Sequence, residues 1–376
     1  MSHPESAQTL VDGISEWVRC ESPSHDPATL RTMAELIATQ ARAAGLRVTV
    51  TELGEQTGPA LVLSNRASDD ERPGLLLLAH YDTVHAVGTL TQNALRIEDG
   101  KLYGPGTYDM KAGTYLALKA LQGLTQPGDT ALPVDFLLVP DEEIGSPWSR
   151  PLIESWAKRA RYSLVCEPAR ANGGRCVTAR KGTGHVWITA HGRPAHAGVA
   201  HEKGRSAIRE LAHQVLALEA MTDYAAGVTV SVGTIEGGTT VNVVPGTARA
   251  VVDFRVPTPE AGEALLARIQ ALQPKDPDVR LEIDARLNRP PMPRTDATGA
   301  LLAQVQALAT QAGFTLEEAP MTGGGSDANF VAALGVPTLD GLGAEGDGAH
   351  TLWEHVIVET LPQRLAFWRL LLKHVA

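Results

Sequence analysis

The chain has 376 residues, 43% of them hydrophobic and 20% charged, and 33 Lys and Arg against 43 Asp and Glu leave a formal net charge of −10. That length exceeds what one hydrophobic core usually fills, so two domains are expected. The acidic balance argues against nucleic acid or anionic membrane as a partner, and no apolar run reaches the ~20 residues of a membrane span. The first residues carry neither the basic nor the apolar region of a signal peptide. Cys20, Cys166 and Cys176 have no CxxC spacing and cannot all pair, which suits a reducing compartment. A cytoplasmic location is expected.

In chain order, Leu10, Ile14, Trp17 and Val18 share one helical face. A second helix starts at Asp26-Pro27, with Leu30, Met33, Ile37 and Ala41 inward and Gly45 as its stop. Residues 46–53, 61–65 and 75–79 read as strands, the last apolar on both faces and so central. Leu95 to Tyr103 reads as a hairpin around Asp99-Gly100. Residues 110–124 and 149–160 read as helices, and 134–139 and 162–166 as strands. This alternation predicts a mostly parallel sheet covered by helices.

The pattern changes near Lys181-Gly182. Residues 185–190, 228–235, 248–256 and 281–285 alternate with period two, and 206–220 and 259–272 read as helices. These predict a smaller α+β unit with an antiparallel sheet, inserted into the first domain, and Pro290-Pro291-Met292-Pro293 marks the return. The expected organisation is α/β. One domain comprises residues 1–181 and 292–376, and the inserted domain residues 182–291.

Chemistry concentrates where strands end. Val134–Val139 runs into Asp141, Glu142 and Glu143, three carboxylates whose mutual repulsion calls for a counter-charge such as a metal ion. Glu142 and Glu143 would then divide the labour, one ligating metal and the other moving a proton. Residues 75–79 lead into His80 and Asp82, which alternation puts on the same side, so that Asp82 can hold the His80 ring. Asp109 stands at a turn-to-helix junction, where capping alone would explain it. Glu167 follows the strand 162–166, and His350 lies in a glycine-rich loop unsuited to a core histidine. Imidazole with carboxylate and no thiolate suits catalytic Zn²⁺, Co²⁺ or Mn²⁺. Five ligands exceed one open zinc site but suit two metals sharing a carboxylate.

The motifs AHYDTV, GPGTYDMKAG, PDEEIGS, CEP, GRPAHAG, TGGGSDAN and GAHT occur in that order from about Leu75 to the C-terminus. As a set they resemble the dinuclear zinc amidohydrolase and exopeptidase family. That family includes acetylornithine deacetylase, succinyl-diaminopimelate desuccinylase, aminoacylase and glutamate carboxypeptidase. The resemblance implies a zinc-exopeptidase-like catalytic domain, and an inserted ferredoxin-like unit acting as lid and dimerisation domain. It further implies two divalent ions, Zn²⁺ with Co²⁺ or Mn²⁺ as substitutes, bridged by Asp109. His80 and Glu167 would complete one site, and Glu143 with His350 the other. Glu142 would be the general base, Asp82 would orient His80, and the Asp109–Met110 peptide would be cis. In the inserted domain the resemblance gives His196 to the oxyanion, reaching across a dimer, and Asn242 and Arg255 to a substrate carboxylate. An arginine fork suits that group, although an ordinary ion pair at a strand end would also explain Arg255. The backbone N–H groups around Gly325 would bind the same anion. His3, His25, His85, His185, His191, His201, His213, His355 and His374 match no ligand motif and read as surface or packing residues.

The spacing of RPAHAG, TTVNVVP, DFRVP and MTGGGSDAN is closest to glutamate carboxypeptidase. The expected activity is metal-dependent release of a C-terminal amino acid from a small peptide or N-acyl-amino acid with a free carboxylate. The alternative is a deacylase of the acetylornithine or succinyl-diaminopimelate kind. A non-catalytic protein that only binds metal or a small molecule is the third reading, opposed by the presence of all five ligands and the base.

Overall fold

The computed structural model describes residues 5–126, 128–170 and 173–376. The chain forms two compact units. One runs up to Ala179 and resumes at Arg294–Thr322 and Ser326–Ala376; the other is Arg180–Pro293 with Gly323–Gly325.

The first unit opens with α1 (Ala7–Arg19) and α2 (Pro27–Ala43). Leu10, Ile14, Trp17 and Val18 of α1 are fully buried, as their spacing predicts. The Asp26 carboxylate caps α2 at the N–H groups of Ala28 and Thr29, Pro27 opens its first turn, and Gly45 leaves it with φ +86°. Then come β1 (Arg47–Thr51), β2 (Ala60–Ser64), β3 (Gly74–His80), the hairpin β4 (Arg96–Glu98) and β5 (Lys101–Tyr103), α3 (Ala112–Gln122), β6 (Val134–Val139), α4 (Arg150–Ala157) and β7 (Ala160–Val165). Helix α4 stops at Ala157, short of the expected residue 160, because Ala160 already belongs to β7.

The second unit is β8 (Gly182–His191), α5 (Ala207–Glu219), β9 (Thr229–Gly237), β10 (Thr247–Val256), α6 (Pro259–Gln270) and β11 (Arg280–Arg289). Its sheet runs β11-β8-β10-β9, antiparallel throughout. This β-α-β-β-α-β order is ferredoxin-like. Alternate residues of β8 and β10 (Val186, Ile188, Ala250, Val252, Phe254) join Leu211 and Leu218 of α5 and Leu265 and Ile269 of α6 in a separate core. The first unit resumes with α7 (Asp296–Gln311), α8 (Ala328–Ala333), β12 (Thr338–Leu339), β13 (Gly346–Asp347), β14 (His355–Ile357) and α9 (Leu361–His374).

The main sheet of the first unit has the order β1-β2-β6-β3-β7-β12. Strands β6, β3, β7 and β12 are parallel, while β1–β2 and β2–β6 are antiparallel. Strand β3 lies inside the sheet with Leu75 to Ala79 at most 2% exposed, as its uninterrupted apolar run predicts. In register, His80 pairs with Val139 and Leu78 with Val165, so β3, β6 and β7 end along one edge. A second small sheet, β13-β14-β5-β4, was not expected; it pairs the hairpin with β14 from near the far end of the chain. No helix among the described residues is long and apolar enough to cross a membrane.

Candidate metal centre

His80 closes β3, Asp141, Glu142 and Glu143 follow β6, and Glu167 follows β7. Parallel pairing therefore delivers all of them to one sheet edge, where α/β sheets bind ligands. Asp109 comes from the turn before α3, with φ −113° and ψ 96°, and its peptide to Met110 is cis. A side chain at Gly113 would collide with the Cys166 carbonyl, so glycine lets α3 start directly against the segment that carries Glu167. His350 holds a left-handed φ of 65° in the loop between β13 and β14.

Asp109 lies between two imidazoles: Oδ1 is 3.3 Å from His80 Nε2 and Oδ2 is 3.3 Å from His350 Nε2. Glu143 Oε2 is 3.2 Å from His350 Nε2. Glu167 Oε1 and Glu142 Oε2 stand 3.8 and 4.0 Å from His80 Nε2. His80, Asp109 and Glu143, and again His80, Glu142 and Glu167, each offer ligand atoms within 4.8 Å of one another. His80 Nε2, Asp109 Oδ1 and Glu143 Oε1 are buried and make no hydrogen bond. Buried polar atoms of this kind are costly unless something else engages them. Imidazole and carboxylate without thiolate is the donor set of a catalytic divalent-metal centre, and the residues fit one.

The electrostatics agree. Burial, then the Asp109 charge, push the Glu143 carboxyl up to about 8. Burial and the Asp109 and Glu142 charges raise Glu167 well above the carboxylate range. Hydrogen bonds donated to the Asp109 and Glu143 carboxylates raise His350 to about 11. Burial disfavours a charged His80, but Asp109, Asp82 and Glu142 overcome it and raise its pKa. Asp109 is buried too, yet His350 and His80 lower it. Without metal, the cluster holds protons where ligands must be free of them.

Supporting residues explain the placement. His80 Nδ1 faces Asp82 twice, the backbone carbonyl at 3.0 Å and carboxylate Oδ1 at 3.4 Å. The Asp82 carboxylate also accepts the N–H groups of Glu142 and Glu143, at 3.2 Å each, and the Ser24 hydroxyl at 2.7 Å. It thus fixes the acidic turn as well as the ring. Asp141, fully buried, instead accepts N–H bonds from Trp148 and Ser149 ahead of α4. The three consecutive carboxylates therefore do not all face the cluster. Lys111, 2% exposed, donates from Nζ to the carbonyls of Cys20 at 2.7 Å and Trp17 at 3.2 Å at the end of α1, and burial lowers its pKa to about 8.

One residue of the centre escaped the sequence reading. Glu354, fully buried, accepts backbone N–H bonds from Gly106, Tyr108 and Asp109 and meets Nε2 of His85. His85 is thereby a half-buried packing residue, within what was expected of the histidines outside the ligand motifs. The available signal was position: Glu354 follows His350 by four residues. His3 lies outside the described residues.

The remaining expected residues belong to the second unit and form two groups. His196 and Val243 form an antiparallel bridge, and Ala197 N–H donates to the Asn242 carbonyl at 2.9 Å, so the His196 and Asn242 loops lie side by side. Both residues are exposed. Arg255 is at the other end of β10, where its Nη1 donates to the Gly323 carbonyl at 3.3 Å. Gly325 belongs to that end too: a side chain there would meet Thr183, which pairs with Arg255. Eight residue steps separate Thr247 from Arg255, ~26 Å of strand. Asn242 precedes Thr247, in a loop that pairs with residues 195–197 beyond the end of β8. One chain therefore does not bring Asn242 and Arg255 onto the same carboxylate.

Comparison with known proteins gives concordant matches. The model of Peptidase family M20/M25/M40 matches residues 76–374. Carboxypeptidase G2 of Pseudomonas sp. (strain RS-16) is 32% identical over 295 residues, covering 77% of this chain and 71% of that protein. Acetylornithine deacetylase of Myxococcus xanthus is 32% identical over 327 residues, covering 80% of each. Among solved structures, aminopeptidase PepT from Bacillus cereus ATCC 10987 superposes with a TM-score of 0.75 at 24% identity, over 98% of this chain and 99% of that one, a likeness of fold.

Proposed function

The chain belongs to peptidase family M20/M25/M40, and from that premise we propose that it is a dinuclear metallohydrolase releasing a C-terminal amino acid from a peptide or N-acyl-amino acid. The observation that carries the proposal is the Asp109 carboxylate set between His80 and His350, with Glu143 and Glu167 flanking them. In this reading two divalent ions would be held, one by His80 and Glu167 and one by Glu143 and His350, with Asp109 shared between them. The ions would be Zn²⁺, replaceable by Co²⁺ or Mn²⁺, and when bound would supply Lewis acidity and lower the pKa of water.

Glu142 accepts a proton from the attacking water as its oxygen adds to the amide carbon. It returns that proton to the amine nitrogen as the C–N bond breaks. Asp82 keeps Glu142 in reach, because its carboxylate holds the Glu142 N–H. His196 donates to the developing oxyanion; removing one such donor typically costs on the order of 10²–10³ in rate. Arg255 and the N–H groups around Gly325 hold the substrate carboxylate. The separation along β10 supports giving His196 and Asn242 to a second copy, so the proposed protein is a homodimer through the inserted unit. The three cysteines, all free, support a cytoplasmic location.

A deacylase acting on short acylated diamines is the second reading, favoured by the match to acetylornithine deacetylase. A panel of carboxy-terminal peptides, acyl-amino acids and N-acetylornithine, assayed with and without chelator, separates the two. Turnover confined to N-acetylornithine would replace the carboxypeptidase assignment.

A further inference from the structure

Three segments carry His80, Asp109 and His350, and each reaches the same buried carboxylate. Glu354 Oε1 accepts the N–H groups of Tyr108 and Asp109, both at 2.9 Å. Its Oε2 accepts the N–H of Gly106 at 2.9 Å and lies 2.7 Å from His85 Nε2. His85 extends the segment that begins at His80, and Glu354 itself closes the loop that carries His350. The N–H groups of Gly106, Tyr108 and Asp109 converge into a concavity that binds an anion, and the chain fills it with its own carboxylate. A buried carboxylate is tolerable only when fully hydrogen-bonded. Here four donors meet two oxygens. Glu354 belongs to neither group of convergent ligand atoms.

We propose that Glu354, with His85, is the positioning residue of the metal centre: it sets where the Asp109 carboxylate stands between His80 and His350. The inference rests on reading Asp109 as the bridging ligand. The physical reason is direct. Asp109 donates its own backbone N–H to Glu354, so the carboxylate carbon of Asp109 is three bonds away from a fixed point. With that point lost, the turn has three converging N–H groups and no acceptor, and it must rotate to find one.

The test is metal affinity, read by competition between Zn²⁺-loaded protein and a chromophoric chelator, with the visible spectrum of the Co²⁺ form as a reporter of coordination geometry. Glu354→Gln replaces an oxygen with a donor facing donors. It should weaken metal binding about 10- to 100-fold, the range typical of groups that orient metal ligands, alter the Co²⁺ spectrum, and lower kcat more than KM. His85→Gln keeps an N–H donor in place and should stay within about twofold of wild type, whereas His85→Leu should weaken metal binding several-fold. The histidine pair keeps the test decisive if Glu354→Gln does not fold. Wild-type metal affinity and Co²⁺ spectrum in His85→Leu, and in Glu354→Gln if it folds, would overturn the inference. Asp109→Asn is the control for the underlying reading: if it too retains both metals, the reading of the centre fails, and if it loses them while the Glu354 and His85 variants do not, only the positioning role fails.

Discussion

Arg255 gives one edge of its guanidinium to Asp253, two residues earlier on β10: Nε and Nη2 donate to the two carboxylate oxygens at 2.8 Å each. The side-on edge is thus occupied, and Nη1 donates to the Gly323 carbonyl at 3.3 Å. Asp253 fixes the plane of the fork, and a substrate carboxylate would share Nη1 and Nη2 with these partners.

The first prediction follows from that geometry. Arg255→Ala should lower kcat/KM for free-acid substrates about ten- to a hundredfold, since a charge-assisted hydrogen bond is worth roughly 1.5–3 kcal/mol. Substrates with an amidated carboxylate should start poor and lose little more. Asp253→Asn should weaken free-acid binding by a smaller factor. Equal losses for acid and amide would make Arg255 structural, and tighter binding in Asp253→Asn would make Asp253 a competitor of the substrate.

A second prediction concerns metal and pH together. In the metal-free protein burial and the Asp109 charge push Glu143 up to about 8, and Asp109 and Glu143 push His350 to about 11. Both pKa values lie above neutral pH, so the protons are bound there and must leave when metal enters. Metal affinity should rise with pH, by about tenfold per unit for each proton displaced. Calorimetry of Zn²⁺ binding in buffers of different ionisation enthalpy measures the protons released. Chelation should abolish activity and Zn²⁺, Co²⁺ or Mn²⁺ restore it. Activity in protein shown to be metal-free by elemental analysis would end the reading.

Glu142 and Glu143 are adjacent but unequal, because Glu143 pairs with His350 at 3.2 Å while Glu142 lies 4.0 Å from His80. Glu142→Gln should keep its metal and lose activity by several orders of magnitude. Glu143→Gln should lose metal. The reverse pattern, read by metal analysis of the two variants, would exchange their roles.

The length of β10 makes a fourth prediction. If a second copy supplies His196, the His196→Ala and Glu142→Gln proteins should each be inactive alone and regain part of the wild-type rate when their subunits are mixed. The mixed dimer then holds one complete site. No recovery, with exchange verified by mass, would place His196 in its own chain's site.

Much of the fold is legible locally. The spacing of Leu10, Ile14, Trp17 and Val18, the Asp26-Pro27 start, the Asp99-Gly100 turn and the unbroken apolar run of β3 each specify their element without reference to the rest of the chain. The sheet β13-β14-β5-β4 is not legible, because β13 has two residues and β14 three, too short for any period. Side chains that act through their own position, such as His80 and His350, stand out by type and neighbours. Glu354 does not, since a glutamate in a polar loop looks like any solvated charge until the N–H groups of a turn some 245 residues earlier are seen to converge on it. The gap between Asn242 and Arg255 was present in the sequence as eight steps of strand from Thr247 to Arg255, and only the direction of the adjoining loop was needed to make it a distance.

The match to the family model begins at residue 76, yet the centre leans on what comes before it. Lys111, two residues past Asp109, places its ammonium on the carbonyls of Trp17 and Cys20, and the hydroxyl of Ser24 holds Asp82. A protein trimmed to the matched region would lose the two carbonyls that hold Lys111 and the hydroxyl that holds Asp82. Anyone shortening this enzyme, swapping its amino-terminal helices with a relative's, or splitting it into fragments for complementation should keep residues 7–24, which hold Lys111 and Asp82.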